Sequence, residues 1–205
     1  AVGGTTVVIS GTNFTGATSV MFGSTSATSF TVDRSTQITA VAPAAVAGVV
    51  DIRVTAPGGT SAIVAAGQFR YHPMPSISSL GTTVGLTRGG TSVVITGANF
   101  TNVSSVTFGS SNATSFTVNS ATQITAVSPS GTAGVVDVRV TTLGGTTAIV
   151  SAGQFTYFGL PTIDTVGPSS GPTAGSTSVV ITGTNFTGAT AVTFGTTNAT
   201  SFTVD

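Results

Sequence analysis

Apolar and polar positions alternate along most of this chain, and wherever they do the period is two. Val93 and Ile95 fall on one side of an extended segment while Val94 and Thr96 fall on the other, which predicts a half-buried strand. Val106 and Phe108 predict the inward face of the next strand, ended by Gly109. Phe116 with Val118 marks another, and Ile124 with Ala126 a further one that Ser128-Pro129 closes, because proline cannot donate to a ladder. The run from Gly134 to Thr141 sets Val136, Val138 and Val140 on one face against Asp137 and Arg139 on the other. Leu143-Gly-Gly145 reads as a hairpin, Thr146 to Ser151 as its return, and Gln154 to Tyr157 as the last strand, while Ser76 to Leu80 forms a short first edge strand. Gly97-Ala-Asn-Phe100 breaks the alternation. Glycine and asparagine tolerate positive φ, so a bulge or tight turn is expected here that drops Phe100 into the core. About seven short strands separated by turn signals predict an immunoglobulin-like β-sandwich.

The same pattern recurs every 86 residues without a gap. Asn13, Asn99 and Asn185 align, as do Phe22, Phe108 and Phe194, and Phe30, Phe116 and Phe202. A period of this length is too long for a solenoid unit and suits a small independent sandwich. The chain is therefore expected to be a tandem array: residues 1–72 as a unit lacking its first strand, 75–158 as a complete unit, and 161–205 as the N-terminal half of a third. Neither end coincides with a unit boundary, which reads as a window on a longer array of near-identical units. Residues 173–205 duplicate residues 1–33, so a simple reciprocal swap of half-sandwiches would double the same strands and is not expected.

Composition strengthens the all-β reading. All five basic residues are Arg and all five acidic residues are Asp, so the chain has neither Lys nor Glu, the charged residues best suited to exposed helix. About a third of the residues are Ser or Thr and 27 are Gly, the usage of strands and turns. Net charge is zero and no basic stripe exists, which opposes nucleic-acid binding. There is no cysteine, hence no disulfide, thiol catalyst or thiolate metal site. No apolar run reaches the length of about 18 residues that a membrane-spanning helix needs. Charged residues make up 5% of the chain where about a quarter is usual, and a neutral, hydroxyl-rich surface favours association.

Candidate chemistry is sparse. His72, the single histidine, lies beside Pro73 and reads as a spacer. Asp51 with Arg53 and Asp137 with Arg139 read as exposed charge pairs worth under about 1 kcal/mol. Carboxylates do not cluster as calcium requires, and no nucleophile–base pair or phosphate-cradling loop is present; neither an enzyme nor a cofactor is expected. Six of the seven asparagines stand in Asn-x-Ser/Thr. These are Asn13, Asn99, Asn102, Asn112, Asn185 and Asn198; Asn13, Asn99 and Asn185 recur in the turn of each unit, and Asn112 and Asn198 are the candidate glycosylation sites. The linkers Tyr71-His-Pro-Met-Pro75 and Tyr157-Phe-Gly-Leu-Pro161 are short and stiff, and Met74, Phe158 and Leu160 are expected to pack between adjacent units.

Pro75 with Ile77, Gly89-Gly90-Thr91, Val93 to Phe100, Val106 to Gly109, Gly144-Gly145 and Phe155 with Tyr157 resemble, in that order, the IPT/TIG domain. The resemblance covers essentially the whole chain. The third copy departs from it with Ala174-Gly-Ser176, in a turn. The resemblance implies non-catalytic immunoglobulin-like modules of the kinds found in cell-surface receptors, in some transcription factors, beside carbohydrate-active enzymes and as stalk units of bacterial surface proteins. Among these the low charge, stiff linkers and repetition favour a prokaryotic extracellular or cell-surface repeat protein, a stalk or filament with an adhesive or sheath role that associates with its own copies. The alternative is a set of accessory modules that bind glycans, host surfaces or another partner beside a head domain. A DNA-binding module is opposed by the neutral charge.

Overall fold

The structure, a computed structural model, describes residues 1–205. In the first unit β1 (Thr6–Ser10), β2 (Ser19–Phe22), β3 (Thr25–Ser26), β4 (Ser29–Arg34) and β5 (Gln37–Val41) are followed by β6 (Gly48–Ala56), β7 (Gly59–Thr60) and β8 (Gln68–Tyr71). The second unit contains β9 (Ser76–Leu80), β10 (Val84–Leu86), β11 (Ser92–Ala98), β12 (Ser105–Phe108), β13 (Ser111–Asn112), β14 (Ser115–Ser120), β15 (Gln123–Val127), β16 (Gly134–Thr142), β17 (Gly145–Thr146) and β18 (Gln154–Phe158). The third has β19 (Thr162–Gly167), β20 (Val180–Thr184), β21 (Thr193–Phe194) and β22 (Thr197–Asn198).

The second unit is a complete sandwich. One sheet runs β14-β15-β11-β9 and the other β10-β18-β16-β12-β13. The segment from Ser76 to Leu86 serves both: β9 pairs antiparallel with β11, and β10 then crosses over to pair parallel with β18. Thirteen buried residues fill the space between the sheets. Val93 and Ile95 of β11, Ile124 and Ala126 of β15 and Val140 of β16 are fully enclosed, the inward faces that the period-two pattern predicts. Phe108, Phe155 and Tyr157 stack edge to face at centroid distances of 5.2 and 5.1 Å, the preferred geometry of aromatic quadrupoles. The buried hydroxyls are bonded, as burial demands: Thr147 Oγ1 accepts the Val140 N–H at 3.1 Å and Ser128 Oγ accepts the Thr91 N–H at 3.1 Å.

Three expectations change. Thr146 to Ser151 does not return as a strand; only Gly145–Thr146 pair with β16, and a 3₁₀ turn at Ser151–Gly153 leads into β18. Arg139 does not pair with Asp137 but donates from Nε and Nη2 to the Thr147 carbonyl at 3.1 and 2.9 Å, holding this connection against β16; Arg53 Nε does the same to Ser61. Finally, β10, β13 and β17 add short strands to the expected set. The third unit also forms no strand over Phe202 to Asp205, and no residue from Pro161 to Asp205 is buried.

The two tyrosines show how one methyl group changes a core. Tyr157 Oη donates to the Pro129 carbonyl at 2.8 Å, over Gly131, where a Cβ would lie 2.8 to 3.1 Å from the ring. The first unit has Ala45 at that position, and the Tyr71 hydroxyl is buried without a partner. Replacing Tyr157 by Phe should cost about 1–2 kcal/mol, whereas Tyr71→Phe should be neutral or stabilising; equilibrium unfolding of the two variants checks this. Burial raises both tyrosine pKa values. Unfolded tyrosine therefore ionises first. The stability involved is complete below about pH 10 and is lost as pH rises through the higher folded values, which an unfolding series across the alkaline range should display.

Candidate functional site at the junction between sandwiches

The Asn-Phe turn is the first component of the junction. Gly97 lies where β9 crosses β11 and the register shifts between Thr96 and Gly97. A Cβ there would be driven into the Ser76 carbonyl oxygen and come within 2.6 Å of Phe100 Cζ. The glycine is thus required by close approach, not by positive φ. Asn99 takes the left-handed conformation, φ 62°, and Phe100 turns inward to 1% exposure. The Asn99 amide is then free to reach back, and Nδ2 donates to the Met74 carbonyl at 2.8 Å. Asn185, φ 59°, makes the same bond to the Leu160 carbonyl at 2.9 Å. One side chain per unit therefore fixes the backbone just ahead of the entering strand.

Asn99→Gly keeps the backbone conformation and removes the amide bond, so it should cost the second unit about 1 kcal/mol. Asn99→Ala also forces a methyl into the left-handed region and should cost about 1–2 kcal/mol more. Denaturant unfolding of both variants separates the two roles.

The second component is the β16–β17 hairpin. Its tip is tied by the Gly144 N–H donating to Thr142 Oγ1 at 3.1 Å and by a 3.0 Å hydroxyl pair between Thr141 and Thr146. Linker backbone passes directly over it: a Cβ on Gly144 would be driven into the Pro73 carbonyl oxygen, with the Pro73 carbonyl carbon at 2.6 Å and the His72 oxygen at 3.2 Å. A Cβ on Gly145 would meet Val2 Cγ2 at 3.8 Å and Met74 Cε at 4.0 Å. Loops at the lower end of the first sandwich thus rest on the upper hairpin of the second. Gly144 is buried in consequence, whereas Gly58, at the same point of the first unit, is exposed.

At the first linker Met74 keeps 39% exposure and its Cε lies at the edge of the Gly144 contact; in the second linker Phe158 and Leu160 keep 53% and 52%. Gly159, in the second linker, presses on the Asn185 amide, its Cβ position 2.6 Å from Nδ2. Asn112 and Asn198 lie exposed in the short strands β13 and β22. The junction brings neither candidate into contact with a linker. Gly144 and Gly145 were legible in sequence only as a hairpin; nothing in the sequence marks their contact with the distant linker at His72 and Pro73.

SGBP-B from a complex xyloglucan utilization locus in Bacteroides uniformis is similar to this chain at 27% identity, with a TM-score of 0.36, over 74% of this chain and 46% of that one. The plexin A4 extracellular region, domains 1 to 10, is similar at 22% identity and TM-score 0.47, over 81% of this chain and 15% of that one. Invasin, a bacterial integrin-binding protein, is similar at 15% identity and TM-score 0.31, over 81% and 35%. The chain spans less than half the length of each. No curated protein matches it. The IPT/TIG domain model matches residues 1–71, 75–157 and 161–205, and with nearly the whole length covered, the chain belongs to the IPT/TIG domain family as a tandem array of its modules.

Proposed function

We propose that this chain is load-carrying material of an extracellular, prokaryotic surface stalk or filament, with an adhesive or sheath role. The observation that carries this reading is the junction: the Pro73 carbonyl lies on Gly144 and the Met74 carbonyl is held by Asn99, so consecutive sandwiches meet backbone to backbone through a linker too short to swing. Small cores in series, joined this way, extend and bear tension without any ligand. The surface fits the role. Charged residues are 5% of the chain and net charge is zero, which permits contact between neighbouring copies.

The other reading makes the units accessory modules beside a glycan-acting or adhesive head. Sugar-binding faces commonly use exposed Trp and Tyr, amphipathic rings that stack and hydrogen-bond; here there is no Trp and both Tyr are buried. Electron microscopy of the protein from its native source separates the two. Continuous filaments or long stalks with a regular axial repeat are expected. Short beaded arms that each end in a globule carrying the binding activity would overturn the filament reading and favour the accessory one.

A further inference from the structure

We propose that Asn112 carries an N-linked glycan whose first sugar is seated over the open edge of the second sandwich. The seven asparagines of the chain divide by what the fold asks of them. Asn13, Asn99 and Asn185 take the left-handed conformation in the Asn-Phe turn, and Asn99 and Asn185 also tie down the linkers. Asn102 is left-handed too, at φ 52°, and the equivalent Gly16 and Gly188 share that conformation, so its backbone accounts for it. Asn119 donates from Nδ2 to Gln123 Oε1 at 3.1 Å and to Thr125 Oγ1 at 2.8 Å. Asn112 and Asn198 have no such reason. Both lie in two-residue strands, β13 and β22, where asparagine is disfavoured. Both are exposed, and both open the sequence Asn-Ala-Thr, the acceptor pattern for N-linked sugar. Ser26 stands at this place in the first unit and β3 forms there all the same, so the strand itself does not need asparagine.

The surroundings of Asn112 suit a sugar. It lines a hollow of about 210 Å³ together with Ser104, Ser105, Val106, Ala113 and Phe116. The hollow opens where the chain passes from one sheet to the other, since β13 ends the first sheet and β14 the second. Val106, Ala113 and Phe116 supply apolar surface for the C–H face of a pyranose ring, and Ser104 and Ser105 supply hydroxyls for its polar rim. The edge strand gains from the cover. Residues 115–118 of β14 carry neither charge nor proline, Val118 is 40% exposed, and nothing pairs with the outer side of the strand. An edge of this kind recruits strands of other chains unless something blocks it. A hydrated sugar on Asn112 does so, and leaves contact between copies to other faces.

The sugar comes from an oligosaccharide carried on a lipid pyrophosphate. Asn112 Nδ2 bonds to the sugar C1 as the bond from C1 to the phosphate oxygen breaks; the lipid pyrophosphate leaves, and one amide proton passes to a base of the transferring enzyme. No oxidant or reductant is needed. In the folded sandwich Asn112 is paired with Thr107, the Thr114 N–H donates to the Val127 carbonyl at 2.9 Å, and Thr114 Oγ1 donates to the Ser128 carbonyl at 3.4 Å. The acceptor sequence is thus held within the sandwich, so transfer precedes folding, on the chain as it crosses the membrane. This step rests on the extracellular reading above.

The test is mass spectrometry of the protein from its native source, with cell surface and cell interior sampled separately. Trypsin cleaves after Arg88 and Arg139 and releases residues 89–139, which contain Asn99, Asn102, Asn112 and Asn119. Fragmentation is expected to place a glycan on Asn112 and none on the other three, and Asn112→Gln should remove the added mass from this peptide. The seat has its own readout: hydrogen exchange at residues 115–118 should be about threefold or more slower with the sugar than in Asn112→Gln. Surface protein with a bare Asn112, or with its sugar on Asn102, overturns the proposal and leaves the stalk standing; equal exchange overturns the seat over the edge. Protein found only inside the cell overturns both the sugar and the extracellular reading.

Discussion

Gly97→Ala is expected to unfold the second sandwich while leaving the first folded. The new methyl would enter the Ser76 carbonyl oxygen and the Phe100 ring, and neither is the free end of a flexible chain. Strand β9 must leave β11, taking Ile77 and Leu80 out of the core. Each such side chain contributes about 1.5–3 kcal/mol by its burial, so the loss is about 3–6 kcal/mol, a large part of the 5–15 kcal/mol that holds a typical domain together. The matched substitution Gly11→Ala meets the Phe14 ring at 2.6 Å but no strand carbonyl. It should cost only about 1–3 kcal/mol, the usual range for overpacking. Unfolding followed by residue-resolved NMR, which reports the units separately, checks both. Equal losses at the two sites would show that the ring, not the strand crossing, is what excludes a side chain.

The second large effect is on geometry rather than stability. Gly144→Ala is expected to push the Pro73 linker off the hairpin and free the two sandwiches to move relative to one another. The same substitution in the first unit, Gly58→Ala, meets nothing within 4 Å and serves as the control. Small-angle scattering of Gly144→Ala should show a broader distribution of maximum dimensions, with unfolding midpoints of the individual units little changed; Gly58→Ala should scatter like the parent. If Gly144→Ala also scatters like the parent, the seat on the hairpin does not set the inter-unit angle.

These two glycines also show what the sequence reveals and what it conceals. Val93, Ile95, Val138 and Val140 are visible as core because strand alternation is written locally, one residue in and one out, and the structure encloses them as expected. The Asn-Phe turn is visible for the same reason: a break in alternation at residues that accept positive φ. Gly97 is misread from sequence, since glycine for close approach and glycine for φ look alike until the neighbouring strand is in place. Strand β10 is three residues, Val84–Leu86, too short to show a period. Its glycine, Gly85, is set by the Phe155 ring 70 residues on, with a Cβ position 2.6 Å from Cζ. The orphaned Tyr71 hydroxyl depends on one methyl, Ala45 in place of Gly131, which an alignment of the repeats displays but only the packed ring explains. The junction itself was legible as a stiff linker and no further. At the first linker the apolar Met74 was the expected contact, while the closest approach there is that of the Pro73 backbone to Gly144, which leaves no hydropathic trace.

The central claim is that consecutive sandwiches stand in one fixed relation, and residual dipolar couplings of the unmodified chain test it most directly. Amide couplings from β1 to β8 and from β9 to β18, measured in one weakly aligned sample, should fit a single alignment tensor with the two units placed as in the structure. Two tensors of different magnitude, one for each sandwich, would mean that the units tumble apart across the linker and that the backbone seat on Gly144 does not hold in solution.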